Sequence, residues 1–593
     1  MRKSASRVWF AIVLCSLLAG LAGWPAIGHA VQQPEGVAPE PFPFSDRYPA
    51  QVRLVTPEDL DRLVELNIDI AHLELETGGY AQPRVPFEPL VATVYVNPGE
   101  VVLLGQEGLI ALAIPNEALR AWRTYGPGTG QPSGWPTYDQ WVARMQTLVT
   151  NYPNLVRMVS IGQSVQGRQL WMLKITDNPD VEEDEPEFRY VSTMHGTEPV
   201  GAELCLRLAE LLTANYGVEP TLTGIVNGME IWLFPLFNPD GYMAGSYTNA
   251  HGVNLNRDFP DRITDPVDDP AGREPETQAA MSFSYGHSLT MGANYHSGAL
   301  VVNVPWDSVP TPPDYAPDDA LFIEYGEGYA VLNPQIWNGG FYHGTTRGWE
   351  WYIIRGGMQD WAYYWHNEHH VTIEVSNSQP PPYNQMDTYW NNNRDAMLWW
   401  MQRSLMGVRG LVTDAVTGLP LGATVDVLEV SKPMETDPQV GDYHRLLAPG
   451  TYTVRCSAEG YVEQAWALQV VDGLATVQDC ALLPESQPKV HVQAIKAQYV
   501  DQGGGRYVVT GSVRIVDEAG LFVSGATVSA EWTLPNGSVV PQQAPTGAKG
   551  VASFRTKSRT SGLFEICVTD VIKAGYLYDP AQNRITCGTV SIP

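Results

Sequence analysis

The chain has 593 residues, and its 65 Asp+Glu against 36 Lys+Arg give a formal charge of −29. At about 150 residues per domain that length predicts about four domains, and 44% hydrophobic with 17% charged residues is a globular composition, neither collagen-like nor disordered. So acidic a chain argues against nucleic acid as a partner, because phosphate recognition needs clustered Lys and Arg; it is compatible with basic substrates.

Residues 1–30 read as a secretory signal: Arg2, Lys3 and Arg7, an apolar run over 8–21, and the small-x-small pattern Gly28-His29-Ala30. The run is short for a membrane span, and no later stretch reaches about 18 uninterrupted apolar residues, so no transmembrane segment is expected. The chain is placed outside the cytoplasm, extracellular or periplasmic. Residues 43–121 pattern as a small α+β domain, with a strand over 52–55, a helix over 57–66 and alternating stretches at 92–95 and 101–104. A Gly/Pro linker covers 122–135. Residues 136–405 alternate helical segments with apolar strands, the signature of an α/β sheet. From Gly407 short alternating strands with turn signals take over, and a break at 484–488 divides them into two β-sandwich domains, 407–484 and 489–593. In an oxidising compartment Cys456 with Cys480, and Cys567 with Cys587, are plausible disulfides, each pair inside one stretch of strands. Cys205, on an apolar helix face, is expected to be a buried thiol.

Four stretches at the ends of apolar strands in 136–405 carry the chemistry. The first leads into His195-Gly196-Thr197-Glu198, after which Pro199 opens a helix with Val200, Leu204, Leu208 and Leu212 on one face. His and Glu three apart on a tight turn reach one cation together, as nitrogen and oxygen ligands of zinc. The second leads into Asn238-Pro239-Asp240-Gly241-Tyr242 and on to Asn254-Leu255-Asn256-Arg257. The third delivers His296, and the fourth delivers Glu374. Ligands of open α/β sheets collect beyond the carboxyl ends of strands, so the four can converge. Two His and one Glu leave zinc an open position for water, and a further carboxylate serves as general base.

As a set, His195-Gly-Thr-Glu198, Asn238-Pro-Asp-Gly-Tyr242, Asn256-Arg257-x-Phe-Pro, Asn294-Tyr-His296-Ser-Gly and Gly357-Met-Gln-Asp-Trp361 resemble the zinc metallocarboxypeptidases, in the subfamily of carboxypeptidases N, E and D. The resemblance implies a mixed-sheet α/β zinc carboxypeptidase catalytic domain at 136–405 and a transthyretin-like β-sandwich at 407–484 behind it. With the small α+β domain read from its patterning before them, and an Ig-like β-sandwich at 489–593 read from strand spacing alone, the chain is multidomain. The resemblance also implies one Zn2+ held by His195, Glu198 and His296, with Glu374 as general base and acid. Asn256 and Arg257 are then the seat of the substrate's terminal carboxylate, which a guanidinium binds in two places. Tyr352 matches the mobile tyrosine that closes over substrate. Asp307, in Val304-Pro305-Trp306-Asp307, matches the subfamily's determinant for a C-terminal Arg or Lys, with Gln359 its neighbour in the pocket. The implied partners are peptide or protein C-termini, basic ones in particular; the Ig-like domain is a candidate for binding a surface or a partner.

Two positions depart from the pattern. The arginine that stabilises the oxyanion in the family is Tyr247 here, and no Lys or Arg occurs between Arg207 and Arg257. A phenol donates one hydrogen bond without the charge, and losing a comparable donor costs ~10²–10³ in rate. The aspartate behind a zinc histidine is Asn254 here. Rival readings are therefore a zinc amidohydrolase on cell-wall peptides and a catalytically impaired peptide-binding or adhesion protein. Residues 43–121 read equally as a pro-segment, with Arg120 or Arg123 suited to activating cleavage, or as an accessory domain. His366, His369 and His370 with Glu368 are expected to be packing and surface groups, although His at i and i+4 on a helix can bind metal.

Overall fold

The computed structural model describes residues 38–77, 88–130, 134–437, 439–485 and 488–593. The expected leader and the last residues of the linker's Gly/Pro run lie outside the described residues. Two compact units are present: the first holds the chain to Val408 with His444–Gly450 and Val470–Ala475, and the second holds Arg409–Tyr443, Thr451–Gln469 and Thr476–Pro593.

In the first unit, β1 (Tyr48–Leu54), β2 (Asp69–Leu75), β3 (Leu90–Val96) and β4 (Ala111–Ala113) form a four-stranded sheet in the order β2-β3-β1-β4. Alternation in β3 buries Leu90, Ala92, Val94 and Val96 on one face. The stretch 101–104, expected as a strand, lies in the helix Pro98–Gln106. Asn97 accepts from the Glu100 amide and the Glu100 carboxylate accepts from the Asn97 amide, each at 3.0 Å, with Pro98 opening the helix. This capping box outweighs the β preference of Val101 and Val102. The helix Glu117–Tyr125 carries the chain beyond residue 121 and buries Trp122 in the main core, its ring edge-to-face with that of Tyr242 at a centroid separation of 5.2 Å.

The sheet that follows has eight strands: β5 (Val156–Gln163), β6 (Gln169–Ile175), β7 (Glu187–Ser192), β8 (Glu230–Phe234), β9 (Leu289–His296), β10 (Leu300–Val304), β11 (Thr345–Arg347) and β12 (His369–Val375), in the order β11-β10-β12-β9-β7-β8-β6-β5. Its centre, β12-β9-β7-β8, is parallel, while β10 against β12 and the β8-β6-β5 edge are antiparallel. Every residue of β7, β8 and β9 is buried, as a sheet covered on both faces requires. Helices Tyr138–Asn151, Val200–Asn215 and Met386–Arg403 share one core, and Pro275–Tyr285 with Met358–His366 contribute to a second. This is the mixed-sheet α/β fold expected of 136–405.

In the second unit, Cys456–Cys480 and Cys567–Cys587 are bonded. Beyond 488, two four-stranded sheets enclose Val492, Val513, Trp532, Phe554, Phe564 and Ile566. Cys205 is buried in its helix in the first unit.

The centre of the eight-stranded sheet carries an ion pair. Arg189 of β7 donates from Nε at 2.9 Å and Nη2 at 2.6 Å to the two oxygens of Glu368, and both side chains are buried. Burial opposes the Glu368 charge, but Arg189 and His370 outweigh it and hold the carboxyl at about 2. A depressed carboxyl contributes stability that is complete above the ordinary carboxylate range and is lost as pH falls through about 2. Arg189→Ala, which strands Glu368, is expected to cost about 3–5 kcal/mol in urea unfolding, and Arg189→Met with Glu368→Leu to recover most of it.

Candidate active site

The parallel strands deliver their carboxyl ends to one edge. After β7 the chain turns at His195-Gly-Thr-Glu198, closed by the Glu198 amide on the His195 carbonyl at 3.0 Å. The following turn supports it: Asn238 accepts from Gly241 N at 2.8 Å and donates to the Met194 carbonyl at 3.2 Å. Gly196 is packed against this turn, and a Cβ there would lie 2.1 Å from the Gly241 carbonyl carbon and 2.3 Å from Tyr242 N. His296 ends β9 and is paired in register with Glu374 of β12.

The three expected metal ligands meet. Nδ1 of His195 and Nδ1 of His296 face each other at 3.2 Å, and each faces a Glu198 oxygen, at 3.1 and 3.0 Å; one ligand atom from each residue lies within 4.8 Å of the others. The protonation follows from the neighbours. Asn254 Oδ1 accepts from the Asn256 amide at 3.0 Å, so it is the amide oxygen that meets His195 Nε2 at 3.0 Å. His195 therefore donates from Nε2 and keeps a lone pair on Nδ1. Two nitrogens and a carboxylate converging in a buried place fit zinc. Burial works against the Glu198 charge, but the two imidazoles outweigh it and bring the carboxyl down to about 2. Glu198 also accepts from Ser297 N at 3.0 Å and from Gln379 Nε2 at 3.0 Å.

Glu374 lines the same cavity. Burial, and then the nearby Glu198 carboxylate, raise its carboxyl well above the usual range, a shift that a divalent cation at the triad opposes. Tyr247, Asn256, Arg257 and Tyr352 line the cavity as well. Arg257 is braced by Nη1 on the Asn256 carbonyl at 2.9 Å, and Asn256 Oδ1 accepts from Met358 N at 3.1 Å, leaving its NH2 end for a ligand. The Tyr247 hydroxyl is buried without a partner among the described residues, and burial, then Asp69, raise it well above its ordinary range, so it remains a neutral donor.

Asp307 and Gln359 are set behind the wall, which Asn303 and Thr372 form. Asn303 donates to Asp307 at 2.8 Å, and Gln359 Oε1 accepts from Thr372 N at 2.8 Å. Gly348 makes room for the Asp307 carboxylate, since a Cβ would lie 1.7 Å from its oxygen. Burial, which the Asn303 hydrogen bond and Arg257 only partly offset, pushes the Asp307 carboxyl up to about 7. The three histidines before Glu374 point to separate partners: His366 to Asp268 at 3.4 Å, His369 to Asp318 at 3.3 Å and His370 to Glu368 at 2.8 Å.

The sequence reading missed Asp69, Tyr95, Asn303, Thr372 and Gln379. Asp69 and Tyr95 come from the N-terminal sheet, and Asp69 places an oxygen 3.3 Å from Arg257 Nη2. Tyr352 is built into that sheet's core together with Trp351 and Ile354. What is left is a cavity of ≈ 50 Å³, far below the ~300 Å³ of a small-molecule site. One signal of Asp69 stood in the sequence: Asn254 lacks the charge expected behind His195.

Two histidines and a carboxylate able to hold a metal, a further buried carboxylate and a guanidinium line one cavity, an arrangement that fits a metal-dependent hydrolase. Residues 141–396 match the family model described as zinc carboxypeptidase. Carboxypeptidase D of Homo sapiens is 34% identical over 449 residues, 70% of this chain, and the match spans only 31% of that protein. The catalytic chain of carboxypeptidase N of Homo sapiens is 33% identical over 373 residues, 55% of this chain and 80% of that one. A crystal structure of carboxypeptidase A from Helicoverpa armigera aligns with a TM-score of 0.47 and 17% identity, covering 60% of this chain and 97% of that one. The chain belongs to the zinc carboxypeptidase family.

The close approach at Gly196 gives a direct check. Gly196→Ala is expected to push the His195–Glu198 turn off the turn beneath it and weaken zinc binding at least about 10-fold by chelator competition.

Proposed function

We propose that this chain is an exported zinc carboxypeptidase that releases C-terminal Arg or Lys from peptides, under a lid formed by residues 48–77 and 88–113. The convergence of His195, Glu198, His296, Glu374 and Arg257 on one cavity carries the reading. The names of carboxypeptidases D and N support peptide substrates, and the two disulfides support export. Among the described residues no helix is long and apolar enough to cross a membrane.

Zinc, when bound by the triad, supplies Lewis acidity to the scissile carbonyl and to the attacking water. Arg257 and the Asn256 amide hold the terminal carboxylate, which fixes the last peptide bond at the edge of the sheet. Glu374 takes the proton of the water and returns it to the leaving amine. The Tyr247 hydroxyl donates to the carbonyl oxygen as charge develops there, in place of a guanidinium. Asp307 receives the cationic side chain through the Asn303–Thr372 wall, and an apolar residue there leaves a buried carboxylate without a partner.

The lid is rooted at both ends in the catalytic domain. Ser246 donates to the Pro43 carbonyl at 2.7 Å before it, and Trp122 is buried after it. This favours a permanent domain over a removable pro-segment. Mass spectrometry of fully active secreted protein is expected to find the N-terminus at Val31; active material found only after loss of residues 48–113 overturns the lid.

The activity test is release of Arg, Lys, Leu or Glu from matched peptides, with and without chelator. Arg and Lys are expected to be released, Glu374→Gln to lower the rate ~10²–10⁴-fold with zinc retained, and amidated peptides to resist. Leu released as fast as Arg refutes the Asp307 assignment; zinc uptake without release of any residue supports the binding-only rival. The Arg-over-Leu preference is expected to rise with pH through about 7, where the Asp307 charge appears, and to fall below it.

A further inference from the structure

The departure at Asn254 has a counterpart in the N-terminal domain. In the family resemblance an aspartate stands behind the zinc histidine, and second-shell carboxylates of this kind both orient the imidazole and raise its basicity. Here Asn254 Oδ1 receives His195 Nε2–H at 3.0 Å, and the other end of the same amide donates to both oxygens of Asp69, at 3.2 and 3.0 Å. The orientation of the amide is fixed, because the Asn256 backbone N–H donates to Oδ1 at 3.0 Å and has no other role open to it. Asp69 begins β2, is only 10% exposed at its side chain, and belongs to a domain that sequence reading leaves outside the catalytic unit.

We propose that Asp69 is a positioning residue for the metal ligand His195, acting through Asn254, so that the docked N-terminal domain strengthens zinc binding while it covers the peptide's carboxylate seat. A carboxylate that accepts from an amide NH2 polarises the amide, making its oxygen a stronger acceptor for the imidazole N–H; hydrogen bonds in such a chain reinforce one another. The carboxylate missing at position 254 is thereby supplied by another domain, one hydrogen bond further out. The same carboxylate also faces Arg257 at 3.3 Å, so one side chain couples lid closure to the metal and to the anion seat. Substrate that displaces Asp69 from Arg257 loosens its hold on Asn254, and the closed form is the one that holds zinc best.

This inference rests on the zinc reading above, and zinc affinity of the full chain, measured by competition with a chromophoric chelator, tests it apart from activity. Asp69→Ala is expected to weaken zinc about 10-fold or more, and the near-isosteric Asp69→Asn to weaken it in the same direction. Adding Asn254→Asp to Asp69→Ala places a carboxylate directly on His195, and is expected to restore the wild-type affinity to within about 3-fold. An Asp69→Ala or Asp69→Asn affinity within about 2-fold of wild type overturns the relay, as does a double variant no tighter than the single one. Should Asp69→Ala fail to fold, Asp69→Asn alone and with Asn254→Asp decides by the same criteria. Wild-type protein that takes up no zinc defeats the proposed function as well, whereas stoichiometric zinc with no dependence on Asp69 defeats only this inference.

Discussion

Bringing Nδ1 of His195, Nδ1 of His296 and the Glu198 carboxylate within 4.8 Å of one another is the demand that the catalytic domain is built to meet. The groups are uncomfortable neighbours without a cation: the two nitrogens are 3.2 Å apart and the carboxylate is buried. Their positions are imposed by the parallel centre of the sheet, where β7, β9 and β12 end side by side, and by turns with no slack. Gly196 lies against the Gly241–Tyr242 backbone, and Asn238 ties the second turn to the first. The buried Arg189–Glu368 pair spans the same strands and holds the start of β12, hence Glu374, in register with β9.

Arg257 imposes a second demand. A partly buried guanidinium at the edge of an apolar sheet needs an anion, since an unpaired buried charge costs more than most contacts return. In the closed form Asp69 supplies it, 3.3 Å away; in the working enzyme proposed here a peptide terminus takes that place. Entry of substrate then exchanges one carboxylate for another at Arg257 and disturbs the apolar contacts of the lid as well as the Asp69–Asn254 hydrogen bonds. Those contacts involve Tyr352, the tyrosine expected to close over substrate, packed with Trp351 and Ile354 into the core of the N-terminal sheet.

How much of this could be read in advance depends on range in sequence. His195 and Glu198 lie on one turn that Pro199 follows at the N-cap of the next helix; their spacing lets them share a cation, and the set of motifs, rather than the spacing alone, singles them out. Asn256-Arg257 is equally local. The order β11-β10-β12-β9-β7-β8-β6-β5 is not written in any segment, but apolar runs ending in polar turns were enough to suggest convergence at strand ends. The segment 101–104 is helical rather than extended because the Asn97-Pro98-x-Glu100 box before it starts a helix, a local signal stronger than the β preference of the short apolar run Val101-Val102-Leu103-Leu104. The missing charge at Asn254 hints that a carboxylate is needed, but nothing near Asp69 in sequence marks it as the source, because its place depends on a strand from another domain reaching Asn254 and Arg257. Likewise Asn303 and Thr372 form the wall in front of Asp307 only because β10 and β12 are neighbours.

The substitution at 247 and the lid explain each other. The centroid of the Tyr247 ring lies 4.4 Å from that of Tyr95 of β3, 4.8 Å from that of Phe42 and 6.2 Å from that of His195, the last in an edge-to-face arrangement. An aromatic ring at this position extends the apolar face that receives the segment before β1, while its hydroxyl still reaches the cavity. Arg47, paired with Glu100, already lies near Asp69 and Tyr247, so a guanidinium at 247 would add a further cation beside those that Asp69 faces, competing with Arg257 and drawing Asp69 away from Asn254. With tyrosine, Asp69 is left to serve Arg257 and Asn254 together. In the reading proposed here, a rooted lid and a tyrosine in place of the oxyanion arginine belong to one arrangement, in which charge at the catalytic centre is shared between domains rather than confined to one.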